Sequence, residues 1–152
     1  MISALVGLSL CVAACTKVNP EEEPLPNGKL LPTEKITDAQ WSSLALTGNV
    51  WALTSKYEFK KGSWSNVEAA SLSVFYFQDG SNVSYWVSNS GILDGGKGRW
   101  SFDLAASELA VGTTVYKMFP NGKDSIYLLK DKTLGLLTRL PESEAASYRK
   151  AR

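Results

Sequence analysis

From Val50 onward the apolar residues recur at every second position, and the breaks between such runs are Gly, Asn and Asp. A period of two is the signature of a strand with one face toward a core, so most of this 152-residue chain is committed to sheet. Trp51, Leu53, Ser55, Tyr57 and Phe59 alternate with Ala52, Thr54, Lys56, Glu58 and Lys60 in the first such run. Ser71 to Gln78 and Asn82 to Ser88 flank Asp79-Gly80, a strong hairpin signal. Lys97 to Asp103 and Glu108 to Val111 are shorter runs, and Thr113 to Phe119 follows Gly112. Asn121-Gly122 marks a second hairpin leading into Ser125 to Lys130, and Thr133 to Leu140 completes about eight strands. Sequential strands, tight turns and no long crossover predict an all-β fold, an antiparallel up-and-down barrel, because closure removes the exposed edges.

The Asp79-Gly80 hairpin has two candidate registers. A two-residue turn places Tyr76 opposite Val83, whereas a three-residue loop with a bulge places Phe75 there. Both faces of that strand carry large apolar residues. The inward set is therefore open, and the outer face needs a cover, for which the N-terminal helix is a candidate. That short helix is predicted from Thr37-Asp38-Ala39-Gln40, a capping box, with Trp41, Leu44 and Ala45 on one face and Gly48 as the stop.

Ahead of the domain the composition changes twice. Ile2 to Ala14 is an uncharged, mostly apolar run of 13 residues, shorter than the roughly 20 needed to span a bilayer and suited to a signal-peptide core. Its end, Val12-Ala13-Ala14-Cys15, resembles the lipobox of bacterial lipoproteins, which implies cleavage after residue 14 and a lipid on Cys15. Cys11 follows Leu10 and fits less well. A basic stretch normally precedes such a run, and a leader ahead of Met1 is expected to supply it. Residues 15–32, with Pro20, Pro24, Pro26, Pro32 and the acidic Glu21-Glu22-Glu23, are expected to form a disordered tether. That acidic triplet resembles the patch that sends some lipoproteins to the outer face of the outer membrane. The globular domain is then 33–152, with no cysteine and hence no disulfide or thiolate metal site.

Within the domain, three segments carry a second resemblance. Gly48-Asn49-Val50-Trp51 after a short helix, Phe77-Gln78-Asp79-Gly80 in a hairpin, and Gly98-Arg99-Trp100-Ser101 before a Leu-rich final hairpin look like the lipocalin-like domains of bacterial lipoproteins over residues 44–140. The spacing departs from the Gly-x-Trp of true lipocalins. The resemblance implies a ligand-holding barrel closed by an Arg packed over the first-strand Trp, here Arg139 over Trp51.

The same residues argue against most chemistry. The chain has no histidine, so it lacks an imidazole base and a Ser-His-Asp or Cys-His nucleophile system. A net charge of +1 without a basic cluster does not suit nucleic acid. Gly91 to Gly98 (GILDGGKG) nearly matches a phosphate-binding loop, but a strand pattern follows the lysine where a helix is required. Asp79, Asp94 and Asp131 are expected in turns, where Asp is common for local hydrogen bonding, and nothing in the pattern unites Glu58 with Asp103 as a catalytic pair. Asn82-Val83-Ser84 is a glycosylation sequon only by letter and reads as strand. What remains is aromatic. The chain has five Trp, six Tyr and five Phe, most of them in the barrel segments, and Trp51, Tyr57, Tyr85, Trp86 and Trp100 are the candidate ligand-binding residues. The expected protein is a non-enzymatic, lipid-anchored lipoprotein of the cell envelope, placed at the outer membrane. Its barrel is expected to bind a small hydrophobic or amphipathic ligand, with no cofactor or metal. The alternative is a filled barrel serving as accessory to another envelope protein.

Overall fold

The computed structural model describes residues 17–68, 71–89 and 92–150; the apolar run and both cysteines lie outside them. The strands are β1 (Val50–Lys60), β2 (Ser63–Val67), β3 (Ser71–Gln78), β4 (Asn82–Asn89), β5 (Ile92–Asp103), β6 (Glu108–Val111), β7 (Thr114–Pro120), β8 (Ser125–Lys130) and β9 (Thr133–Arg139). Every neighbouring pair is antiparallel, and β1 also pairs with β9, which closes β1 and β3–β9 into an eight-stranded up-and-down barrel. β2 is the extra strand. It lies beside the outer half of β1, while β3 takes the same edge of β1 at Val50, Trp51 and Ala52. Helix α1 (Asp38–Leu44) starts with the capping box expected at Thr37 and Gln40, and its last turn stops at Ala45 in the left-handed region.

Three details depart from the sequence expectations. The Asp79-Gly80 turn takes the longer of its two expected forms, three residues with Gly80 and Ser81 both at positive φ, but Phe77 rather than Tyr76 or Phe75 stands opposite Val83. Strand β1 is bulged at Thr54, whose hydroxyl bonds to Leu136 O and Thr138 Oγ1. The bulge adds one residue, so the faces exchange across it: Trp51 and Leu53 point inward, whereas Tyr57 and Phe59 point outward. The third departure is the cover on the β3 outer face. A second helix, α2 (Glu142–Lys150), packs Ala145 and Tyr148 over Val50, Val74 and Trp86, while α1 lies at one end of the barrel as a plug.

That plug fixes which end is closed. Ile36, Leu44 and Leu46 join Trp51, Phe77, Leu109 and Ile126 in one buried cluster, and Trp41 stacks on Phe102 at 3.9 Å between ring centres. Ser107 Oγ accepts the Ile36 amide at 2.9 Å, holding the chain to the turn that follows β5.

The segment expected to be a disordered tether is folded against the barrel over its described part. Asn19 caps a single 3-10 turn at Pro20–Glu22, and the Trp64 indole donates to Pro20 O at 2.8 Å. Leu25 and Leu31 are each 3% exposed, seated among the outward-facing Tyr57, Phe59, Trp64, Phe119, Tyr127 and Leu134. The two buried leucines and the Trp64–Pro20 hydrogen bond give this segment packing that its polar composition does not show.

Candidate functional site

Above the plugged end the barrel is not full. A cavity of about 400 Å³ opens at the end away from α1. Phe77, Leu128 and Leu137 line its deep part, and Leu53, Phe75, Val111 and Tyr116 its walls. Gly135 makes room for it: a Cβ there would stand 2.9 Å from Leu53 Cδ1. Lys56, Lys130, Asp131, Thr133 and Ser73 supply its polar lining. Lys56 is inward because the Thr54 bulge moves the even-numbered residues of outer β1 onto the interior face, opposite Gly135. Burial pushes the Tyr116 phenol up from its ordinary value, an effect that Thr114 partly offsets by hydrogen bonding. Near the mouth, the Lys60 ammonium lies 2.5 Å from Glu58 and lowers its carboxyl pKa by hydrogen bonding first and by charge second.

The five aromatic candidates are spread over different surroundings, and none of them lines this cavity. Trp51 is wholly buried at the closed end, where its indole donates to Leu46 O at 3.2 Å. The Arg139 guanidinium carbon sits 5.2 Å from the Trp51 ring centre. Arg139 also donates to Leu44 O and, at 2.9 Å, to Lys123 O, which ties the last strand to the plug. Tyr57 lies outside under the N-terminal segment. Trp86 lies outside under α2, edge-on to Tyr148 at 5.1 Å. Trp100 is inside but packed, with its indole donating to Gln78 O and its ring edge-on to Phe77 at 5.5 Å. Tyr85 faces Phe75 by register, yet its ring lies so close over Gly96 that a Cβ there would stand 2.4 Å from it.

The residues that do line the cavity escaped the sequence reading because the register of β3 and the bulge in β1 were not visible in it. One signal was present. An isolated glycine in a Leu-rich strand, Gly135, marks a close approach or a space that a side chain would fill.

Compared with known proteins, the chain matches no family model, no curated protein and no solved structure. Among the described residues no helix is long and apolar enough to cross a membrane, and no group of three or more acidic, Cys or His side chains could hold a metal ion. Chemically, the cavity is a cup: apolar below, with lysines and a single lining carboxylate, Asp131, near the mouth. It can desolvate an aliphatic or aromatic body and leave a polar head among the lysines.

Proposed function

We propose that the protein is a lipid-anchored lipoprotein of the cell envelope, held at the outer membrane through Cys15, whose barrel binds a small amphipathic ligand and carries out no reaction. The observation that carries this reading is the open cavity of about 400 Å³ with apolar walls, a volume within the roughly 300–1,000 Å³ range of small-molecule sites. The same cavity speaks against the filled-barrel alternative. Lys56 and Lys130 near the mouth favour a ligand with an acidic head.

The test is titration of the full chain with 11-(dansylamino)undecanoic acid, read by dansyl fluorescence. The expected result is saturable binding of one probe per chain, weakened at least about tenfold by Val111→Trp, which fills the wall, with thermal unfolding little changed. Probe binding that ignores Val111→Trp, or no binding at all, turns the reading toward the interaction role. The anchor is tested separately. Fatty-acid labelling in a bacterial host should be lost in Cys15→Ser, and continued labelling of that variant overturns the anchor.

A further inference from the structure

We propose that the open rim of the barrel, formed by the β1–β2 and β8–β9 turns, is a docking surface for an anionic lipid bilayer, so that the cavity mouth opens onto the lipid. The proposal rests on the anchored, ligand-binding reading above and adds an orientation to it.

The two turns are neighbours. Phe59 N donates to Lys132 O at 2.9 Å, which sets Lys61-Gly62 beside Asp131-Lys132. Lys60, Lys61, Lys130 and Lys132 are exposed there, and Lys56 is half-buried just inside. Against these five lysines stand Glu58, whose charge Lys60 meets at 2.5 Å, Asp131, Asp94 near the start of β5, Glu68 between β2 and β3, and Glu22 and Glu23 on the N-terminal segment that reaches β2. The excess of lysine is confined to the two turns themselves, where Lys60, Lys61, Lys130 and Lys132 stand against Glu58 and Asp131, on a chain whose overall charge is +1.

The N-terminal segment arrives at this same rim. Val18, 45% exposed, has its Cγ2 3.9 Å from where a Cβ on Gly62 would stand. From there the segment is fastened, with the Trp64 indole on Pro20 O and Lys117 on the Glu21 carboxylate at 2.7 Å. Cys15 is three residues before Val18, so chain reach keeps a lipid-bearing Cys15 within about 11 Å of it. That is close to the distance of about 8–10 Å over which salt leaves charges visible to one another. A lipid held so near the rim brings headgroups within reach of the lysines, and anionic headgroups are the ones that attract them.

The test measures partition of the full chain onto vesicles of mixed phosphatidylcholine and phosphatidylglycerol, against phosphatidylcholine alone, at low ionic strength. The N-terminal apolar run is common to every variant, so the readout is the gain due to the anionic lipid. Lys60→Glu, Lys61→Glu and Lys132→Glu together should reduce that gain by on the order of a hundredfold, about fivefold for each lysine removed. Lys29→Glu, Lys35→Glu and Lys123→Glu together make the same change in net charge away from the rim and should cost less than about fivefold. Amine acetylation read by mass spectrometry should show Lys60, Lys61 and Lys132 protected on the vesicles and Lys123 unprotected. Equal losses in both triple variants, no dependence on phosphatidylglycerol, or protection of Lys123 alone overturns the proposal. Dansylundecanoate affinity without vesicles separates the two readings. Read at high salt, which screens the altered rim charge, it should stay saturable and within a few-fold of wild type in the rim variant, whose lysines do not line the cavity, and a wild-type chain that fails to bind the probe counts against the cavity reading alone.

Discussion

Arg139 does several things with one side chain. Its guanidinium covers the Trp51 ring, bonds two carbonyls from α1 and the β7–β8 turn, and lies 3.7 Å from an Asp124 carboxylate oxygen. A planar group with five donors can do this and an ammonium cannot. Arg139→Ala should therefore lower stability by about 2–3 kcal/mol, from the lost cation–π contact and the unpaired carbonyls, with Arg139→Lys recovering less than half. Lys132→Ala, in an exposed turn, should stay within about 0.5 kcal/mol. Urea midpoints at equal slope measure all three, and an Arg139→Ala midpoint no lower than that of Lys132→Ala would show that the contact contributes nothing.

At the scale of an element, the N-terminal segment carries the clearest consequences. Its anchors are Leu25 and Leu31 on an outer face made by β1, β2, β7, β8 and β9. Leu25→Ala should cost about 2 kcal/mol, near the lower end for a buried leucine because one strap can partly collapse onto the gap. A chain beginning at Thr33 should lose more, since it uncovers the whole patch. Proteolysis between residues 19 and 31 should be slow in the native protein, and rapid cutting there at no cost in melting temperature would restore the tether picture. The same interface sets an alkaline limit. Burial raises the Tyr127 phenol above its ordinary value, the neighbouring Tyr57 adds to this, and a hydrogen bond with Asn27 partly offsets it. The folded state thus prefers the neutral phenol. Its contribution is complete below the free tyrosine value near 10 and is lost as pH rises through the higher native value. Urea midpoints should hold level up to about pH 10 and then fall, with a shallower fall in Tyr127→Phe. Tyr116, raised by its own burial, accounts for part of what remains.

For the molecule as a whole, closure joins the first and last barrel strands. β1 and β9 pair from Trp51–Arg139 to Glu58–Thr133, broken only at the Thr54 bulge. A sheet without a free edge there has no strand that can fray alone, so amides of β1 and β9 should exchange only through global opening. Native-state hydrogen exchange should give Ala52, Leu53 and Leu137 protection equal to that of the β4–β5 pair. Much faster exchange along β9 would mean that the seam opens as a separate unit.

What local sequence settled was the kind of structure at each point along the chain. The period of two, the Gly, Asn and Asp turns and the Thr37–Gln40 capping box depend on near neighbours, and they fixed a strand-rich, sequentially paired barrel with a short entry helix. Ser63–Val67 and Glu142–Lys150 lay outside that signal, the one short and polar, the other too weakly amphipathic to stand out. Which face of each strand points inward was decided by pairing. One added residue at Thr54 exchanges Tyr57 with Lys56, and a three-residue turn at Asp79–Ser81 places Phe75 and Phe77 in the barrel. The fate of residues 17–32 was decided in the same way. Composition weighs a segment against water, but Leu25 and Leu31 are ordered by a patch that exists only once five strands have brought their outer faces together. The cavity belongs to the tertiary structure for the same reason, because an empty volume is a property of the residues that surround it and of no stretch of sequence by itself.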